Sequence, residues 1–221
     1  MNNKNAGILI CILIVVLLAG CTAKDGNPEE FNLAIEKLST VTTCHTSEEL
    51  AMIYPDQEVV MNIDRLYASG DCLYTWTQND TPSSRIVEYN GKRYDNVYYA
   101  EDWEPSTLNT TLPPQHLGFS PEAFTVEAVQ KNADIITVTC RMNTDSKNNI
   151  EYLEANAEFI LDADWNVLEY TIFYSYMTSN HTGEEFLLSI RNHIVYMPTE
   201  AAEIQQAIQD TFTEAQNECS K

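Results

Sequence analysis

Positive charge is scarce in this chain: its 221 residues carry 12 lysines and arginines against 33 aspartates and glutamates, a formal net charge of −21. So acidic a surface keeps a domain soluble and is repelled by phosphate backbones, which excludes nucleic acid as a partner. Motifs that carry chemistry are also missing. There is no phosphate loop, no dinucleotide fingerprint and no HExxH pattern, and His45, His116, His181 and His193 have no close ligand spacing. Ser120, within Gly118-Phe119-Ser120-Pro121, lacks the following glycine of a nucleophile elbow. Asp162-Ala163-Asp164-Trp165-Asn166 opens like a calcium loop, but Val167 stands where the sharp turn needs glycine and Phe173 where the bidentate glutamate belongs. A hairpin turn is expected there instead. The sequence therefore reads as a non-enzyme, with no catalytic residue, metal or cofactor expected.

The N-terminus reads as an export signal. Met1 to Asn5 is polar with one cation, Lys4; Ile8 to Leu18 is unbroken apolar; Ala19 and Gly20 then precede Cys21. The apolar run is too short for a good transmembrane helix, which needs roughly 20 residues to cross about 30 Å of hydrocarbon. Leu18-Ala19-Gly20-Cys21 resembles the lipobox of bacterial lipoproteins, in which the residue matching Cys21 is acylated and becomes the new N-terminus. That resemblance implies a signal peptide over 1–20, a lipidated tether over 21–27 and an extracytoplasmic chain held to the membrane by lipid on Cys21. The tether from Thr22 to Asn27 reaches about 20 Å when extended at roughly 3.3 Å per residue. The folded part over 28–221 thus sits close to the bilayer.

The pattern of the mature chain predicts an α+β domain. Asn27-Pro28-Glu29-Glu30 reads as a helix start, with Asn27 as cap and the acids at the positive helix end. Phe31, Ala34, Ile35 and Leu38 form one stripe of a helix ending near Ser39. From there to Met197 the apolar period is two. Val59, Met61, Ile63 and Tyr67 alternate, interrupted by Arg65; Cys72, Tyr74 and Trp76 alternate next. Asn90-Gly91 predicts a type I′ hairpin between Arg85–Tyr89 and Lys92–Tyr99. Thr107 to Pro114 reads as an irregular connection, and a second hairpin turns at Lys131 to Asp134. Alternating strands follow over Leu153–Leu161, Leu168–Tyr176 and Phe186–Ile194. Ile204, Ile208, Phe212 and Ala215 then make a C-terminal helical stripe starting near Thr199.

This order of elements resembles the periplasmic lipoprotein carriers of the LolA and LppX kind. The resemblance implies a curved antiparallel meander, a half-barrel, with the N-terminal and C-terminal helices against its concave face. It further implies a non-catalytic module that binds a lipid or another apolar ligand. Ala155 and Ala157 on an otherwise bulky face, with Tyr170, Tyr174 and Phe212, are the residues expected to line such a groove. The alternative is an envelope scaffold with a filled core that meets protein partners. Four cysteines remain in the folded part, Cys44, Cys72, Cys140 and Cys219, an even number in a compartment that oxidises thiols, without CxxC spacing. Disulfides are expected, Cys44 to Cys72 between early strands and Cys140 to Cys219 from sheet to terminal helix.

Overall fold

In the computed structural model, which describes residues 28–79, 81–97, 102–106, 114–143, 152–179 and 182–221, alternation of apolar and polar positions builds a single sheet. The strands are β1 (Thr43–Ile53), β2 (Glu58–Ala68), β3 (Asp71–Gln78), β4 (Thr81–Tyr89), β5 (Lys92–Val97), β6 (Glu104–Pro105), β7 (Phe124–Asn132), β8 (Ile135–Met142), β9 (Tyr152–Asp162), β10 (Val167–Ser179) and β11 (Glu185–Met197). Helix α1 (Glu29–Ser39) precedes them and α2 (Ala201–Glu218) follows. The leader, Cys21, Asn27, Thr107–Pro113, Tyr98, Tyr99 and His181 lie outside the described residues, and Pro28, not Asn27, holds the N-cap position of α1.

Every neighbouring pair is antiparallel, and the spatial order is β6-β5-β4-β3-β2-β1-β11-β10-β9-β8-β7. The sheet is open, with β6 and β7 at its edges. It consists of two meanders, β1 to β6 running outward and β7 to β11 running back, joined where β1 pairs with β11. Two-residue turns close the predicted hairpins, with Asn90 and Gly91 at φ 51° and 70° and Ala133 at 51°. Positive φ at both central positions is what a type I′ turn requires, and asparagine and glycine tolerate it.

Register fixes the faces. Ile194, Tyr170, Phe159 and Val138 stand side by side across β11, β10, β9 and β8. They form one cluster with Phe31, Ala34, Ile35 and Leu38 of α1. Leu66, Leu73, Val87 and Tyr94 stand side by side across β2 to β5 on the other face, clustered with Ile204, Ile208, Phe212 and Ala215 of α2. The helices therefore cover opposite faces and opposite halves of the sheet, not one concave side as the carrier resemblance implies. Each helix stripe goes where its own half is apolar. Over β7 to β11 the α2-side positions mix polar residues such as Arg191, Thr171, Glu158 and Thr139 with Phe173, Met177 and Leu187, and neither helix covers them.

The chain between β6 and β7 joins the two sheet edges, and its described part from Pro114 onward lies on the α1 face. Two 3-10 turns, Gln115–Gly118 and Pro121–Ala123, abut α1. Phe119 between them packs edge-on against Phe124, Phe159 and Tyr170. Among the described residues no helix is long and apolar enough to cross a membrane.

Candidate binding faces

Burying β1 to β3 on the α1 side brings polar groups with it. Arg65, which interrupts the apolar alternation of β2, lies beside Tyr74 of β3 and Thr46 of β1 in register. Its guanidinium meets the Glu48 carboxylate at two points, 3.2 and 3.3 Å, and lies 4.8 Å from the centre of the Tyr74 ring. Thr46 Oγ1 donates to the same carboxylate at 3.0 Å. Burial pushes the Glu48 carboxyl above its ordinary value, against the pull of Arg65. Arg65 Nε and the Tyr74 hydroxyl have no hydrogen-bond partner among the described residues.

Beside this pair runs a chain of hydrogen bonds. Tyr170 is bonded to Tyr196, whose hydroxyl donates to His116 Nδ1 at 2.7 Å, while His116 Nε2 donates to the Val41 carbonyl at 3.0 Å. Those partners assign His116 the neutral imidazole with its proton on Nε2. Burial lowers its pKa and raises those of both tyrosines. The network fastens the crossing segment and the chain after α1 to the middle of the sheet.

The residues expected to line a ligand groove do not share one. Ala157 and Tyr170 are 3% and 1% exposed beneath α1 and Phe119. Phe31 fills the space above them, 5.3 Å from the Phe159 ring. Ala155 and Tyr174 face each other half-buried at the margin of that cluster. Phe212 lies on the opposite face, with its ring 5.4 Å from Tyr89 and 5.3 Å from Tyr94.

The four cysteines are free thiols, which corrects the expected bridges. Cys44 and Cys72 do point to one face, but Tyr67 on β2 stands between them, pairing with both. Two strand spacings are about 10 Å, beyond the reach of a disulfide. Cys140 belongs to the cluster under α1 and Cys219 to the one under α2, so the sheet separates them. Cys219 Sγ donates instead to the Trp103 carbonyl at 2.9 Å.

Asp162 to Asn166 is the expected turn. The Asn166 side chain and the backbone N–H groups of Asp164 and Asn166 donate to the Asp162 carboxylate, and these bonds, the Asn166 side chain first, hold its pKa down. Lys37 of α1 hydrogen-bonds Asn166, and Lys131 lies 5.0 Å from the Trp165 ring centre. Its carboxylate is thus occupied by the turn itself.

Two features had no sequence signal. On the α2 face, His45 bonds the Asp64 carboxylate through Nε2 and the Thr199 hydroxyl through Nδ1, both at 2.8 Å. The order of carboxylate, imidazole and hydroxyl is that of a nucleophilic relay, and here it clips the chain before α2 to β1 and β2. At the far end of the α1 face, aromatic side chains collect. Tyr152, Tyr174 and Tyr176 pack on one another with centroids 5.6 to 6.4 Å apart. Next to them along β11 lie Leu188 and Phe186, and Phe186 packs against Tyr54 at 6.0 Å. A hollow of about 420 Å³ opens there between Tyr54, Pro55, Asp56, Glu184 and Phe186. Other hollows are a polar one of about 490 Å³ beside the β4–β5 hairpin and β6, and an apolar one of about 170 Å³ between α1 and Trp165. All of these are open to the surface.

No family model matches the chain, and no curated protein does. Among solved structures it is similar to a DUF1329 family protein from Desulfovibrio piger, with 6% identity and a TM-score of 0.31 over 76% of this chain and 89% of that one. It is also similar to the MucA/MucB complex of Pseudomonas aeruginosa, with 12% identity and a TM-score of 0.36 over 80% of this chain and 59% of that one. At such scores neither likeness carries an argument about family or function.

Proposed function

We propose that the chain is a lipid-anchored extracytoplasmic interaction module, not an enzyme, which meets its partners through its surface and does not enclose a ligand. Leu18 to Cys21 supports the anchor, and the short tether holds the folded part near the bilayer. The observation that carries the reading is the filling of the expected groove: Phe31 and Phe119 occupy the space over Phe159 and Tyr170, and Ala157 is buried with them. Close packing of this kind leaves no room for a lipid-sized guest beneath α1. A lipid carrier would instead keep an apolar cavity of roughly 300 to 1,000 Å³ between sheet and helix.

Native mass spectrometry of the full chain isolated from its own cells tests this. The expected spectrum is the chain with acyl groups on Cys21 and no further small molecule. A retained, stoichiometric lipid would overturn the reading in favour of the carrier. Catalysis is tested separately at the His45 relay. Hydrolysis of a model ester that disappears in Thr199→Ala would overturn the non-catalytic part.

A further inference from the structure

The hollow at the far end of the α1 face has a chemistry of its own. It lies where the β1–β2 turn and the start of β11 come together, because β1 pairs with β11 up to Ile53 and Ser189. The Tyr54 N–H donates to the Gln57 carbonyl at 2.8 Å, which closes the turn and fixes the Tyr54 backbone. The ring then tilts 35° against Phe186. Asp56 and Glu184 stand exposed on the rim. Among the described residues, no lysine or arginine lines the hollow. Arg191, on β11 nearby, points to the α2 face, where it is bonded to Glu49 and Glu58 at 3.1 and 3.6 Å. Two aromatic rings with two carboxylates at their rim present a concave negative surface whose walls are π faces.

We propose that this hollow receives a cationic side chain, arginine by preference, from a basic segment of a partner protein. A guanidinium is planar, weakly hydrated and stacks on aromatic rings while its edge pairs with carboxylates, so both elements of the hollow engage it at once. The net charge of −21 favours the same occupant at long range, since it draws basic chains toward the surface and repels acidic ones. The strip of Tyr152, Tyr174 and Tyr176 beside the hollow offers further ring surface for the residues that flank the cation. The inference rests on the surface-binding reading in taking the partner to be a protein.

The test is calorimetric titration of the full chain in detergent with a hexaarginine peptide, and with hexacitrulline as its uncharged counterpart. Hexaarginine should bind. Asp56→Asn and Tyr54→Leu should each weaken it roughly twofold to fivefold, the range for one exposed ion pair or one cation–π contact. Glu214→Gln, an exposed acid of α2, should leave it unchanged. Circular dichroism confirms folding of each variant. Equal loss in Asp56→Asn and Glu214→Gln would show attraction by diffuse charge alone and overturn the site. Equal binding of hexacitrulline would overturn the requirement for a cation, and failure of hexaarginine to bind would overturn the site altogether. None of these outcomes touches the filled-groove reading, which stands or falls on a retained lipid.

Discussion

Glu48 and Arg65 meet diagonally across β1 and β2: Glu48 stands opposite Ile63 and Arg65 opposite Thr46, yet their charged ends close a two-point contact on the buried face. At 6% and 9% exposure neither can be left alone. Glu48→Leu should therefore destabilise the fold by about 3 to 5 kcal/mol, the cost of an uncompensated buried charge. The double variant Glu48→Leu with Arg65→Met should lose less than Glu48→Leu does by itself. Urea midpoints of the three proteins check this. A double variant weaker than the single would overturn the account in which the charge left on Arg65 causes the loss.

The His116 imidazole gives stability a pH dependence. Its folded pKa lies below the ordinary value of 6.5 because burial disfavours the charged ring. Between the folded value and 6.5 the unfolded chain binds the extra proton, so this contribution is fully present above pH 6.5 and is lost as pH falls through the folded pKa. Protonation also puts a proton on Nδ1, where Tyr196 donates. Melting temperatures measured from pH 8 downward should fall more steeply in the parent than in His116→Gln. Parallel curves would sink the assignment. Glu48 acts in the opposite sense, since its raised pKa makes its contribution largest below 4.5 and smaller as pH rises through the folded value.

Burial also sets the thiol chemistry. It pushes Cys44 up to about 11, and Cys72 and Cys140 up to about 12. Thiolate is the reactive species, so at pH 8 these three should resist iodoacetamide in the folded protein and react in urea. Dithiothreitol should leave the melting temperature unchanged. A reductant-dependent drop of several degrees would restore the disulfides that the geometry rejects.

Cys21→Ala tests the anchor. The variant should leave the membrane fraction for the soluble exported fraction or accumulate as uncleaved precursor. A variant with the parent's N-terminal mass and location would remove the lipoprotein assignment.

The two helix stripes were legible because their period is local: every residue of Phe31, Ala34, Ile35, Leu38, Ile204, Ile208, Phe212 and Ala215 is buried. The Asn90-Gly91 hairpin and the Asp162 turn were legible because backbone conformation and side-chain chemistry agree within a few residues. The face each helix covers was not. Either stripe suits either apolar half, and the choice depends on β1 finding β11 across most of the chain. Arg65 stood out only as a break in a pattern, because its partner Glu48 lies 17 positions away on another strand. Cys44 and Cys72 were expected on neighbouring strands, one strand too close. Alternation gives direction and says nothing about how many strands lie between.

The seam between β1 and β11 governs how the chain reaches its fold. Hairpins within each meander join neighbours in sequence, whereas Glu49 and Arg191, paired across the seam, are 142 positions apart. Closing so long a loop costs roughly 3 kcal/mol more entropy than closing a hairpin of about five residues, a modest thermodynamic difference. The kinetic difference is larger, because distant pairings form slowly. The two meanders are thus expected to assemble first and separately, and until they meet, β1 and β11 are both unprotected edges. Aggregation during refolding should begin at those two strands, in the middle of the finished sheet and not at its borders.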